Sequence, residues 1–163
     1  MAAGTSRGPN RMTPAFRLAT SADLPAIVRM LADDPLGAGR ERDEAPLPPV
    51  YAAGFAAMSA SGGRIVVAEL DGAVVACLQL TVIHGVAQLG LTRAQVEAVR
   101  VAAPHRGRGI GGALMRHAIG LAREDGCALV QLTTNAARTD AQRFYERLGF
   151  APSHVGMKLS LPR

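Results

Sequence analysis

Residues 99–115, VRVAAPHRGRGIGGALM, join a β-branched run to an apolar helical pattern through a turn with glycine at four of six positions, Gly107, Gly109, Gly111 and Gly112. Such a turn suits an anion. Glycine lets the backbone bend sharply and approach a ligand closely. The first amides of the following helix, reinforced by its dipole, then point at any negative group placed there. A plain strand-to-helix connection needs one or two glycines, so phosphate binding by the amides from Gly107 through Ile110 to Gly112 is the better reading. Arg106 and Arg108 flank the turn and add positive charge for phosphates.

The stretch Gly107–Gly112 also satisfies G-x-G-x-x-G, the dinucleotide fingerprint. Three features oppose that reading: the turn lies late in the chain, residues 102–106 lengthen the exit from the strand, and the next strand, LVQLTTN, ends without an acidic residue for a ribose. A Walker-type loop is excluded because no Gly-Lys-Ser/Thr follows. His84, His105, His117 and His154 share no ligand spacing with each other or with cysteine, so no metal is expected. Cys77 and Cys127 both sit in apolar runs, the setting of reduced structural thiols.

The elements that must position this turn follow from periodicity. Phe16–Ala19 opens a strand. Thr20 with Asp23 three residues on resembles a capping box for a helix through Leu31. Residues 33–49, DDPLGAGRERDEAPLPP, are too rich in Pro, Gly and charge for regular structure. Tyr51, Phe55 and Met58 mark a second helix over Val50–Ser59. Ile65–Leu70 and Val74–Val82 flank Asp71-Gly72, a hairpin signal. Val96–Val101 alternates as a strand, with Glu97, Val99 and Val101 expected on one face. A helix from Ile110 ends near Gly126, Ala128–Thr133 reads as a buried strand, Asp140–Leu148 as a short helix stopped by Gly149, and His154–Leu161 as a last strand. This order argues for a single α/β domain over residues 15–163, with helices flanking a mixed, mostly antiparallel central sheet. Residues 1–14, small and polar, read as a disordered tail, and Met12 could be the true start.

The 163 residues carry a net charge of +5, with seventeen arginines against the single lysine Lys158. The arginines are scattered and no basic run appears, so the bias is read as compositional and no nucleic-acid partner is expected. No apolar run reaches membrane-spanning length; a cytoplasmic protein without a membrane partner is expected.

Two motifs together carry a family resemblance. Arg106-x-x-Gly109-x-Gly111 after Val99-Arg100-Val101 resembles the pyrophosphate motif of the GCN5-related N-acetyltransferases (GNAT). Asp140-Ala-Gln-Arg-Phe-Tyr-Glu-Arg-Leu-Gly-Phe150 is similar to that family's C-terminal helix motif. The resemblance covers residues 16–161 and implies acetyl-CoA as acetyl donor. It also implies that backbone groups of Val99 and Val101 pair with the pantetheine arm, that amides of residues 107–112 hold the pyrophosphate, and that Tyr145 lies near the thioester sulfur. Asn135 and Arg138 occupy a loop that makes further cofactor contacts in the family. By the resemblance alone, a homodimer is allowed.

Acetylation of a primary amine needs a neutral amine, a polarised carbonyl and a proton for the leaving thiolate. The Val101 amide is the candidate donor to the thioester oxygen. Tyr145, whose phenol stays protonated at neutral pH, is the candidate general acid. Glu97 is the candidate base, accepting the ammonium proton through water, although a strand glutamate commonly just faces solvent. No nucleophile motif surrounds either cysteine, so direct attack in a ternary complex is favoured over an acyl-enzyme. The acceptor, a small-molecule or peptide amine, would be gripped by residues 33–49 and 84–93. A non-catalytic acyl-CoA sensor and a nucleotide-binding module are the rival functions.

Overall fold

The computed structural model describes residues 13–34 and 39–161. Residues 1–12, which hold most of the expected tail, and residues 35–38 of the expected loop lie outside the described residues. Strand β1 (Ala15–Leu18) leads through a 3-10 turn at Ser21–Asp23 into helix α1 (Leu24–Ala32). The Asp23 carboxylate accepts the Thr20 amide at 2.7 Å, as the capping-box spacing anticipates. It also takes two donors from Arg17, at 2.8 and 2.9 Å, tying β1 to the start of the helix. That guanidinium, seconded by the Thr20 donors and opposed by burial, holds the Asp23 carboxyl well below the usual carboxylate range.

Helix α2 (Pro49–Ala60) begins on a proline, whose missing N–H costs nothing at that position. Strands β2 (Arg64–Leu70) and β3 (Ala73–Ile83) form the expected hairpin. Asp71 and Gly72 both take positive φ, 52° and 77°, which gives the turn a twist matching its strands. A four-residue helical turn, α3 (Ala87–Gly90), precedes β4 (Arg93–Val101). Helix α4 (Ile110–Glu124), strand β5 (Leu129–Leu132) and helix α5 (Thr139–Glu146) complete the order.

The sheet runs β1-β2-β3-β4-β5, with every neighbour antiparallel except the parallel pair β4–β5. Val66, Val67 and Ala68 at its centre are fully buried because both faces are covered. On one side α4 presents Ile110, Leu114, Met115, Ala118 and Ala122 to Val66, Leu78, Leu80 and Val96. On the other, Ile27 and Met30 of α1 pack on Val67 and Cys77. Two-sided burial explains why β2 and β3 read as continuous apolar runs rather than as alternation.

The expected last strand is absent: residues 154–161 form no strand, and Val155, Met157, Leu159 and Leu161 are 77–91 % exposed. Their period-2 pattern is that of a strand. A strand also needs a hydrogen-bonding partner, however, and this segment pairs with none of the sheet's five members.

Candidate active site

Parallel pairing between β4 and β5 runs from Arg93 opposite Leu129 to Val96 opposite Leu132, and there β5 stops. β4 continues to Val101, so the two strands part company. The Ala102 amide donates to Val75 on β3 at 2.9 Å. Alternation along the strand therefore turns the backbone groups of Val101 and Val99 the other way, into the split. Their carbonyls are met there by arginines: Arg106 Nε donates to Val101 O at 2.9 Å and Arg100 Nη1 to Val99 O at 2.8 Å.

A cleft of about 640 Å³ opens at this split. β4 supplies Val99, Arg100 and Val101, and the glycine-rich turn supplies Arg106, Gly107 and Gly109. The first turn of α4 contributes Ile110, Gly111 and Gly112, while Arg138 and Tyr145 form the far wall. Eleven of the fourteen expected site residues are thus brought together. Arg108, Asn135 and Glu97 do not line the cleft. Asn135 makes a turn instead, its side-chain oxygen accepting the Ala137 amide at 2.9 Å.

The two motif glycines are needed for different reasons. Gly109 sits at φ 80°, at the N-cap of α4, where a side chain would be strained. Gly111 lets the helix approach its neighbours, since a Cβ there would lie 3.3 Å from Val101 Cγ2 and 3.7 Å from Phe144 Cζ. The first bond at the head of α4 runs from the Ala113 amide to Gly109 O at 3.0 Å. The amides of Ile110, Gly111 and Gly112 precede it and face the cleft, as an anion requires.

Glu97 departs from its expected place. Across the ladder Gln79 opposes Glu97 and Cys77 opposes Arg100, so β4 carries an extra residue between them. That residue is Ala98, with φ 53°. The bulge reverses the alternation: Val96, Val99 and Val101 all pack towards α4, whereas Glu97 is exposed on the other face beside Gln79.

Tyr145 packs against the α4-side core and meets Phe144 and Phe150 edge-on, at ring distances of 5.0 and 5.9 Å. Burial raises its phenol above the ordinary tyrosine value, and the Arg100 and Arg138 guanidiniums pull part of the way back. Cys77 is buried under the bulge, and burial pushes its thiol up to about 12, which keeps it protonated.

Asp33, Asp34 and His105 also line the cleft: the first two belong to the 33–49 segment expected to grip the acceptor, and the sequence assigns His105 no role. Asp34 bonds Arg100 and Arg138, partners 66 and 104 positions away, a separation no local motif reports. Asp33 pairs with Arg106 at 2.8 Å. His105 Nδ1 and Arg100 Nε are buried with no partner among the described residues, donors or acceptors left for a ligand. The acidic group of the 33–49 segment is partly engaged: Glu41 accepts the Tyr51 hydroxyl at 3.0 Å and Asp43 pairs with Arg29 at 3.5 Å.

A model of the acetyltransferase (GNAT) family matches residues 25–150, from α1 to the end of the second motif. The chain belongs to this family. The GNAT chain is 44 % identical over 59 residues to streptothricin acetyltransferase of Streptomyces lavendulae, covering 36 % of this chain and 31 % of that protein. It is 42 % identical over 60 residues to aminoalkylphosphonate N-acetyltransferase of Salmonella typhimurium, covering 37 % and 39 %. The matches thus span only about a third of the length of these curated relatives. Among solved structures, a transcriptional regulator from Bacillus halodurans is 44 % identical with a TM-score of 0.88, over 91 % of this chain and 99 % of that one. Glucosamine-6-phosphate N-acetyltransferase of Arabidopsis thaliana, 17 % identical with a TM-score of 0.75 over 92 % and 99 %, shares the fold. Among the described residues, no helix is long and apolar enough to cross a membrane and no cluster of three metal-ligating side chains occurs.

Proposed function

We propose that this GNAT chain transfers the acetyl group of acetyl-CoA to the primary amine of a small molecule, by direct attack in a ternary complex. The observation that carries the reading is a single cleft that joins a split strand edge, the open head of α4 and the Tyr145 phenol. The acceptor class follows the two curated relatives, both named for acetylation of small molecules.

Bound in the cleft, acetyl-CoA would supply the activated acyl group and a thiolate leaving group. The residues present fit it. The amides of residues 110–112 and the Arg106 side chain would hold the pyrophosphate, while backbone groups of Val99 and Val101 would hold the pantetheine arm. His105 Nδ1 and Arg100 Nε offer further bonds. The Val101 amide would stabilise the oxyanion, and Tyr145, kept protonated by burial, would give its proton to the departing sulfur. Glu97, exposed on the α1 side of the sheet, would take the ammonium proton through water from an acceptor arriving on that side. Cys77, protonated and buried, supports attack without an acyl-enzyme.

Calorimetric titration with acetyl-CoA, with NAD and ATP as controls, tests the donor, and thiol release with a panel of amines tests the reaction. Selective saturable binding followed by amine-dependent release is expected. Binding without release for any amine would leave an acyl-CoA sensor; preference for NAD or ATP would overturn the reading.

A further inference from the structure

We propose that Asp34 is a positioning residue that sets the width of the β4–β5 split, an inference that rests on the acetyl-CoA reading of the cleft. Beyond Val96 and Leu132 no ladder hydrogen bond joins the two strands, so the spacing of the split must be fixed by other contacts. Arg100 stands on β4, and Arg138 stands on the turn that follows β5. A single carboxylate, Asp34, just after α1, accepts from Arg100 Nη2 at 3.0 Å and from Arg138 Nη2.

The burial of this group distinguishes it from an ordinary surface pair. The Asp34 side chain is 9 % exposed, and its arginines are 23 % and 33 % exposed. The neighbouring Asp33–Arg106 pair is half in solvent on both sides, where an ion pair contributes little. A carboxylate this dry is strongly held by its partners, and removing it would leave two part-buried guanidiniums facing each other without the charge they share. Arg100 carries the constraint onward, since its Nη1 donates to Val99 O on the edge that faces the split. Two guanidiniums against one carboxylate leave the group net positive, so the brace does not cancel the attraction for phosphates. Asp34 thus acts through Arg100 and Arg138, joining α1 to both sides of the split.

Calorimetry on Asp34→Asn would use two ligands: acetyl-CoA, and adenosine 3′,5′-diphosphate, which carries phosphates but lacks the pantetheine arm. Acetyl-CoA affinity is expected to fall about tenfold or more while adenosine 3′,5′-diphosphate stays within about twofold. Asp34→Glu, which keeps the charge, should recover part of the loss. Unchanged or tighter acetyl-CoA binding, or equal loss of both ligands, would overturn the proposal. Hydrogen exchange without ligand adds a test that holds whether or not acetyl-CoA is the donor. Residues 97–102 should exchange faster in Asp34→Asn than in the parent, with Val66–Ala68 unchanged; equal protection of 97–102, or loss spread into that core, overturns it.

Discussion

Glu97 and Val99, two residues apart on β4, point to opposite faces of the sheet, because Ala98 is inserted between them with φ 53°. Cys77 Sγ lies 3.9 Å from Ala98 O, so the bulge is backed by a buried side chain. One extra residue assigns the strand's two candidate tasks to two sides: Val99 and Val101 keep their side chains in the α4-side core, and Glu97 turns towards the side of α1.

From that separation, Glu97→Gln should leave acetyl-CoA affinity unaltered, since Glu97 is outside the donor cleft. Transfer to an amine should slow by about 10²-fold or more, the range a positioned base supplies. Calorimetry and thiol release on the same preparation check both halves. Undiminished transfer would return Glu97 to solvent.

Gly109→Asp should abolish acetyl-CoA binding by setting a negative side chain where the pyrophosphate charge belongs. Gly109→Ala is the milder companion. A Cβ at Gly109 meets no protein atom within 4 Å, so its cost comes from φ 80° alone. At roughly 1–2 kcal/mol, that strain should lower the thermal midpoint by about 2–8 °C. Scanning calorimetry reads the midpoint, and unchanged acetyl-CoA affinity in the aspartate variant would sink the phosphate assignment.

The glycine turn and the α5 motif were legible in the sequence because each is local: a positive φ, a close approach and an open helix head all leave their mark within a few residues. The hairpin was legible for the same reason, through Asp71-Gly72. Three features were not. The bulge at Ala98 is fixed by register against β3, and alternation in β4 alone predicted the wrong face for Glu97. Asp34 meets its arginines only when α1, β4 and α5 converge. Residues 154–161 have the apolar period of a strand, yet pairing depends on a partner the period does not report.

Tyr145→Phe should reduce turnover by about 10²-fold while acetyl-CoA affinity changes little, because the ring still packs and only the proton donor is lost. The pH profile follows from burial. With its phenol raised above the ordinary value of about 10, Tyr145 stays protonated across pH 6–9, so ionisation of the acid should cause no decline there. Steady-state rates over that range check it, and turnover equal to the parent would leave Tyr145 a packing residue.

The Arg17–Asp23 pair gives a test of the fold that is independent of the site. Asp23 has a depressed carboxyl in the folded chain, so its stabilisation is present above the unfolded carboxylate value near 4 and is lost as pH falls below it. Arg17 is 39 % exposed and solvent screens part of the interaction, so Asp23→Asn should lower the thermal midpoint at pH 7 by only about 2–6 °C. The gap between parent and variant should narrow steadily as pH drops from about 4 towards 2, because the parent's unfolded chain then takes up a proton that its folded carboxyl still refuses. A gap that stays constant over that range would mean that the substitution acts through shape or packing and not through the lost charge.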